Sequence, residues 1–396
     1  MTEAPDPAPE TAIRESTDRC PGVFSTHAAQ DGALARIRLP GGRIRSDQLA
    51  TLAQASAAHA DGFLELTARG NLQLRGITDV GAVADAVVTA GLAPSSSHDK
   101  VRNIEVSPLT GRIGGIADAG PLAAALDDAL RADPAATSIS GRFLFGFDDG
   151  RGDIRHRGAD ACAVVRAAEP VVADILVGGV AVGSVDGVDG VDGIVDAMIG
   201  VAAGLNEVAP GAWRVGDLGA EDRGRLEQLV AASLAPVVGS DDDAVPNPTE
   251  PIVGWFDQDD GSVLLGSVVE LGRLPARLAE FIAAVESPVV FTPDREILIC
   301  DLGEGVAETV VRVLAPMGLI FDANSPWARV SCCVGAPGCA SAQAPVREDL
   351  LVHVEAGLPM GDREHWVGCE RRCGSPAGPH LSVQATPDGG YDRRRR

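Results

Sequence analysis

No apolar run in this 396-residue chain approaches the roughly 18 residues that a membrane-spanning helix needs. The N-terminal stretch MTEAPDPAPETAIRESTD lacks both the basic and the apolar segment of a secretory signal. A cytoplasmic location is therefore expected, with residues 1–19 as a disordered tail. Positive charge is also scarce, since 33 Lys and Arg face 56 Asp and Glu for a net charge of −23, and there is very little lysine. That balance disfavours nucleic acid, whose binding depends on cations that neutralise phosphates. The terminal run Arg393–Arg396 reads as a solvated tail. No G-x-G-x-x-G follows a strand, and GEGVAE at Gly303 is a poor match, so the chain shows no nicotinamide fingerprint of its own. The aspartates of GSVDGVDGVDG (183–193) fit no calcium loop, and the segment reads as a low-complexity loop or insertion between strands. No two-histidine, one-carboxylate iron triad can be read from His27, His98 and His353, which are scattered and read as structural or exposed. Without export, disulfides are not expected, and the eight cysteines become candidates for metal or redox work. Cys20, Cys162 and Cys300 stand alone and read as small buried hydrophobes.

What is present begins with a weak internal repeat. Asp31–Gly76 and Asp260–Asp301 both read as turn, strand, glycine–arginine turn, helix, strand, T-x-x-R-like turn and strand. ALARIRL alternates apolar and polar residues as a half-buried strand does, and Leu49, Leu52 and Ala53 recur at helical spacing. FLELT and LQLRGI read as short strands flanking a turn at Arg69 and Gly70. In the second copy Leu274, Leu278, Phe281 and Ile282 form the expected helix stripe. The acidic, proline-rich GSDDDAVPNPTEP (239–251) reads as the linker between two related halves.

The thiols are gathered near the end of the chain. Cys333 and Cys339 form C-x5-C in SCCVGAPGCASA, and Cys369 and Cys373 form C-x3-C in GCERRCG. Zinc sites usually pair thiols two to four residues apart, and no histidine is placed to assist the first pair. A cubane needs four thiolates on backbone able to wrap a larger object, and Gly335, Pro337 and Gly338 supply tight turns. Zinc and unmetallated thiols remain the alternatives.

This cysteine pattern resembles the 4Fe-4S ligand set of the sulfite and nitrite reductase superfamily. The resemblance implies Cys333, Cys339, Cys369 and Cys373 as cluster ligands, with Cys373 at the position that bridges to a second iron or a sirohaem, and leaves Cys332 as a packed neighbour. In LTARGNLQLRGI, Arg69, Asn71 and Gln73 match a T-x-R-x-N-x-Q motif of that superfamily, and Arg102 with Asn103 match its R-N-V motif. An isolated arginine is ordinarily a surface charge, but these stand at strand ends in apolar stretches, where a guanidinium fork can face a pocket. A third motif departs: where the reductases carry two lysines about a phenylalanine, this chain has Arg142, Phe143 and Leu144, and one cation of the oxyanion site is lost. Asp294 and the ERR of 370–372 are further departures, standing where relatives commonly have Trp and a Lys-bearing stretch.

CPGVFSTHAAQDGALARIRLPGG, ELTARGNLQLRGI, SPLTG, TPDRE and GAPGCASA resemble the precorrin-3B synthases, the oxygen-dependent branch of the superfamily, over residues from about 20 to 385. That resemblance implies oxygen-dependent C20 hydroxylation of precorrin-3A with γ-lactone formation in cobalamin biosynthesis. Its partners would be precorrin-3A and dioxygen, with NADH electrons arriving through a separate reductase or ferredoxin. Arg69, Asn71, Gln73, Arg102, Asn103 and Arg142 would bind the substrate carboxylates. The implied fold is α+β, two pseudo-symmetric halves in which ferredoxin-like half-modules (20–80 and 252–318) pair, with a larger α+β module at 98–238, an iron–sulfur module at 325–386 and a tail at 387–396. The competing readings are a sirohaem-dependent sulfite or nitrite reductase, and a non-catalytic electron carrier that would leave the arginine motifs unexplained.

Overall fold

The computed structural model describes residues 20–187, 189–239 and 250–396, so the expected tail at 1–19 and nearly all of the expected linker lie outside the described residues. The first repeat contains β1 (His27–Ala29), β2 (Gly32–Ile37), β3 (Arg43–Ile44), α1 (Ser46–His59), β4 (Phe63–Leu66), β5 (Leu72–Ile77) and α2 (Val80–Thr89). Then follow β6 (Ile104–Val106), α3 (Gly120–Ala132), β7 (Phe145–Asp148), β8 (Ala161–Ala168), β9 (Val171–Val177), β10 (Val180–Val185), α4 (Gly190–Val208) and α5 (Ala220–Ala231). The second repeat contains β11 (Gly254–Asp257), β12 (Val263–Ser267), β13 (Arg273–Pro275), α6 (Ala276–Ala283), β14 (Val289–Phe291), β15 (Ile297–Leu302) and α7 (Glu304–Leu314). The last part contains β16 (Val330–Cys332), α8 (Val346–Glu355), β17 (Glu364–Val367), β18 (Leu381–Ala385) and β19 (Tyr391–Arg395). Among the described residues no helix is long and apolar enough to cross a membrane.

The chain forms two compact units. One lies within Lys100–Gly111 and Gly115–Val245, and the other within Pro21–Asp99, Arg112–Gly114 and Pro246–Arg396. In the second of these the repeats exchange a strand each. One sheet runs β1-β2-β5-β4-β13 and the other β11-β12-β15-β14-β3, so each repeat lends its short third strand to its sister. The expected pairing of the two repeats into one α/β module is thus observed. The exchange is set by the turn before each lent strand. Gly41 and Gly42 adopt φ of 64° and 68°, and Leu271 and Gly272 adopt 57° and 65°, which sends the chain out of its own sheet. A Cβ on Gly42 would stand 2.0 Å from the Phe291 carbonyl oxygen, so the close approach of the sister strand also requires glycine there.

Helices α1 and α6 pack on each other beneath these sheets. Leu49, Leu52 and Ala53 meet Leu278, Ala279 and Ile282, all buried in one core, and each leucine or isoleucine contributes on the order of 1.5–3 kcal/mol by leaving water. Two stripe assignments are corrected. Leu274 lies in β13, where it is buried by strand pairing, and Phe281 is 40% exposed because it falls off the helical arc of Leu278, Ala279, Ile282 and Ala283.

The other unit is a single mixed sheet, β10-β9-β8-β7-β6, whose apolar face carries α3, α4 and α5. The low-complexity stretch 183–193 is not a plain loop: it ends β10 and begins α4. Its aspartates give no strand or helix pattern, but the stripe Ile194, Val195, Met198, Val201, Ala202 and Leu205 that follows pulls the chain onto the sheet.

The last part forms the sheet β16-β17-β18-β19, parallel except for its final pair. Here the expected tail is corrected. Tyr391–Arg395 is a strand paired with β18. Tyr391 donates its hydroxyl hydrogen bond to Asp349 (2.6 Å), and Arg393 donates to Glu364 (3.0 Å) with its guanidinium over Trp366. Arginine stems cover apolar surface while their heads stay wet, so a run of arginines can be a strand edge.

Candidate cluster site

Strands β16 and β17 are parallel neighbours with Cys332 opposite Trp366, so their C-terminal ends deliver two loops side by side. Cys333 donates its N–H to the Trp366 carbonyl (2.9 Å), Gly368 donates its N–H to the Cys333 sulfur (3.2 Å), and Gln343 donates to the Gly368 carbonyl (2.8 Å). The C-x5-C loop folds on itself through Cys339 N–H to the Gly335 carbonyl, 2.9 Å. Gly335 has φ of 70°, and a Cβ there would stand 2.6 Å from the Val346 nitrogen. Thirty residues of sequence separation vanish because a parallel strand pair ends where both loops begin.

None of the eight cysteines forms a disulfide, and the expected ligands act on one another electrostatically. Burial pushes the Cys333 thiol up, the N–H groups of Gly368 and Gly335 pull it back, and Cys373 and Cys369 push it further up. Burial also raises Cys373, with Cys369 and Cys339 adding to it and Arg371 and Arg36 opposing. Thiols such as Cys333 and Cys373, whose proton affinity their neighbours raise, gain from a shared cation. Among the described residues, the three side chains whose ligand atoms lie within 4.8 Å of one another are Asp148, Asp149 and Asp153, and the thiols make no such group. One zinc at about 2.3 Å from each sulfur would draw the sulfurs to roughly 3.8 Å apart. The thiols are therefore electrostatically joined, and no three of their sulfurs stand as close as one bound zinc would hold them. Cys332 stands apart from it: burial pushes its thiol up to about 12, with Arg347 opposing.

The first repeat presents a charged row to this part of the chain. Arg36, Gln73, Glu65 and Arg273 are cross-strand neighbours on β2, β5, β4 and β13. Arg36 donates to the Gln73 amide oxygen (3.3 Å), and the Gln73 amide donates to Glu65 (3.1 Å). Glu65 also accepts from Arg347 on α8 and lies 3.4 Å from Arg273 Nε. Two positions along β5, Arg75 is clamped in a fork by Asp31 (2.8 and 2.9 Å) and donates to the Gly338 carbonyl in the C-x5-C loop (3.2 Å).

The sequence-predicted residues divide by role. Arg69 stands half-buried on the turn between β4 and β5, where Thr67 Oγ1 accepts the N–H of Arg69 (3.4 Å) and Asn71 (3.1 Å). Asn71 accepts from the Leu39 N–H (2.8 Å), while its buried Nδ2 has no hydrogen-bond partner among the described residues. Gln73 joins the charged row. Arg102 closes its fork on Asp127 at 2.5 and 3.0 Å, and its side chain is 6% exposed. Asn103 braces the same unit through the carbonyls of Lys100 (3.0 Å) and Gly141 (2.8 Å). Arg142 is exposed and stacks over Trp213 at 4.2 Å, and Leu144 is buried.

Sequence reasoning missed Arg36, Glu65, Arg75, Arg347 and His365. The alternation of β2 and β5 marks Arg36, Gln73 and Arg75 as facing residues, but only tertiary contacts show what they face. His365 gave no signal in sequence. It lies wholly buried, with Nδ1 2.8 Å from the Ser331 hydroxyl and Nε2 donating to the Cys373 carbonyl (3.1 Å), and burial holds its pKa down at about 3. The ring is a neutral brace for the last cysteine.

Comparison with known proteins now places this arrangement. Residues 27–87 match the model of the nitrite/sulfite reductase ferredoxin-like half domain. The first repeat is thus similar to such a half domain. Precorrin-3B synthase of Sinorhizobium sp. is 26% identical over 93% of this chain and 81% of that protein. Ferredoxin–nitrite reductase of Synechococcus elongatus is 25% identical over 94% of this chain and 79% of that protein. The Mycobacterium tuberculosis NirA protein superposes with a TM-score of 0.71 at 17% identity, over 92% of this chain and 73% of that one. The chain has the sulfite/nitrite reductase fold, and the half domain is matched in the copy that carries the charged row.

Proposed function

We propose that this protein is an iron–sulfur oxidoreductase that hydroxylates precorrin-3A at C20 with dioxygen, the γ-lactone forming from a ring-A acetate, as a precorrin-3B synthase. The chain-length similarity to a protein of that name supports it, and one structural observation carries it. The position after Phe143, where the reductase pattern places a second cation for its oxyanion, holds the aliphatic and buried Leu144. A multiply carboxylated macrocycle needs orienting cations but not a dense oxyanion trap at the reacting centre.

In this reading Cys333, Cys339, Cys369 and Cys373 hold a 4Fe-4S cluster, which supplies single electrons when bound. A second iron or a sirohaem would stand beyond Cys373. The chain's own residues bind and orient. Arg69 on the β4–β5 turn and Arg36 on β2 offer forks to substrate carboxylates, the pairing in which a planar guanidinium is strongest. Gln73 and Glu65 hold Arg36 and Arg347 in place, and Arg75 ties the first repeat to the Gly338 carbonyl. Arg102, Asn103 and Arg142 enter as supports of their own unit. Electrons from NADH would come through a separate ferredoxin or reductase.

The near-equal similarity to a nitrite reductase supports a second reading, sirohaem-dependent reduction of nitrite or sulfite. One experiment separates the two. The protein is purified anaerobically with iron, sulfide and pigment analysis, then supplied with precorrin-3A under oxygen or with nitrite and sulfite under a reduced viologen dye. Oxygen-dependent consumption of precorrin-3A supports the proposal. A sirohaem band with nitrite or sulfite turnover and no precorrin-3A turnover overturns it.

A further inference from the structure

The second repeat makes the Thr292–Glu296 turn beside a cavity of about 440 Å3. That size lies within the usual range for small-molecule sites. Five arginines line it: Arg295, Arg329, Arg363, Arg395 and Arg396. In a chain with a net charge of −23, such a gathering calls for a physical reason.

The carboxylates on the same wall neutralise it only in part. Asp294 is taken by Arg363. Glu296 is buried, accepts from the Ile252 N–H (2.7 Å) and the Thr292 hydroxyl (2.7 Å), and is pushed by burial and by Asp294 up to about 7. Glu250 and Asp362 complete the acidic lining. Arg329, Arg395 and Arg396 make no ion pair among the described residues. His380 turns Nδ1 to the Gly378 carbonyl (2.9 Å), and its buried Nε2 has no partner among the described residues. Arg295 holds a left-handed backbone, φ 68°, at the position where the first repeat has Gly70, φ 64°. A side chain there is strained; Arg295 lines the cavity, and its Nη2 donates to the Gly374 carbonyl.

We propose that this cavity is a separate binding site for a small molecule carrying two or more carboxylate or phosphate groups. Arg329, near the start of β16, and Arg395, at the end of β19, line it from two separate segments, an arrangement suited to more than one anionic group on one ligand. The site is independent of the charged row at Arg36 and Gln73, and the proposal does not rest on the reaction assigned above.

Calorimetric titration of the full-length holoprotein with citrate, and separately with inorganic pyrophosphate, tests it. The expected result is saturable binding of one molecule per chain that weakens with added salt. Citrate binding alone marks the carboxylate class, and pyrophosphate binding alone marks the phosphate class. Arg329→Gln should weaken binding about tenfold, and Arg329→Gln with Arg395→Gln about a hundredfold, while Arg69→Ala leaves it unchanged. Should the double variant lose its fold, Ala328→Glu places a repelling carboxylate in the half-buried wall and should weaken binding at least tenfold. Absence of saturable binding of both probes to millimolar concentration overturns the proposal. So does binding that survives the arginine substitutions and disappears with Arg69→Ala.

Discussion

At Thr67–Asn71 and again at Thr292–Glu296 the chain makes the same turn. In each, the threonine hydroxyl accepts two backbone N–H groups, and the residue at the fourth position donates to the threonine carbonyl (3.3 Å for Gly70, 3.0 Å for Arg295). The sheets beside the two turns carry opposite chemistry. Across β2, β5, β4 and β13 the row is Arg36, Gln73, Glu65 and Arg273, and across β12, β15, β14 and β3 it is Gly266, Leu298, Val290 and Arg43. Backbone symmetry has been kept while one copy of the row became polar. The lesson is that the duplicated turn and strand exchange hold the architecture, while the row is where the two copies differ. The matched half domain covers the polar copy, consistent with that division.

The largest effect expected is on the thiols that the polar copy faces. Cys339→Ser or Cys369→Ser should abolish the brown colour and the acid-labile sulfide together. Both variants retaining full iron and sulfide would remove the ligand assignment. Next, writing the polar row into the apolar copy should be costly. Leu298 is fully buried, and Leu298→Gln places an amide there without a partner, which should cost about 2–4 kcal/mol of stability. Urea unfolding measures it, and an unchanged midpoint would show that the second row tolerates polarity.

Arg69→Ala, or Arg36→Ala, should lower kcat/KM for precorrin-3A about ten- to a hundredfold, or roughly 1.5–3 kcal/mol, with the cluster spectrum unchanged. Arg69→Lys should rescue only partly, because a point charge cannot reproduce the planar fork. Arg102→Ala should behave differently, since it leaves buried Asp127 with Arg131 alone: stability falls together with cluster content. Full turnover in a well-folded Arg69→Ala, Arg36→Ala double variant would take substrate binding away from the first repeat.

The smallest effect concerns the acidic trio of the other unit. Asp153 is pushed from 3.8 to about 7, mainly by burial, with Asp148 and Asp149 adding and Ser107 and Arg151 opposing. A carboxyl whose folded pKa is raised favours the fold when protonated. Its contribution is complete below about pH 4 and is lost as pH rises through about 7. Asp153→Asn should therefore flatten the stability profile between those limits and stabilise the protein above pH 7 by on the order of 1 kcal/mol. A profile identical to that of the parent would show that Asp153 is ordinary.

Much of the architecture was legible in residue pattern alone. The period-two alternation of ALARIRL, the Leu49–Leu52–Ala53 stripe and the strands about Arg69 and Gly70 all stand where local rules put them, because one buried face dictates strand and helix register. Composition misled at two places. Arg393–Arg395 is a strand because backbone pairing with β18 and the Trp366 ring hold it, and 183–193 is divided between β10 and α4 because the apolar stripe beyond it docks on the sheet.

For the candidate site, the C-x5-C and C-x3-C spacings single out four thiols, and the family resemblance marks them as cluster ligands. Sequence also names Arg69, Asn71 and Gln73. It could not show that Arg102 is bound to Asp127, that Glu65 gathers Arg347, Arg273 and Gln73, or that His365 braces the Cys373 carbonyl. Those partners lie from 8 to 282 positions apart in the chain for the pairs that meet. Periodicity reports which way a side chain points along its own strand, a local property of the backbone. What stands opposite it depends on strand exchange and on the ends of β16 and β17, and those exist only once the chain has folded.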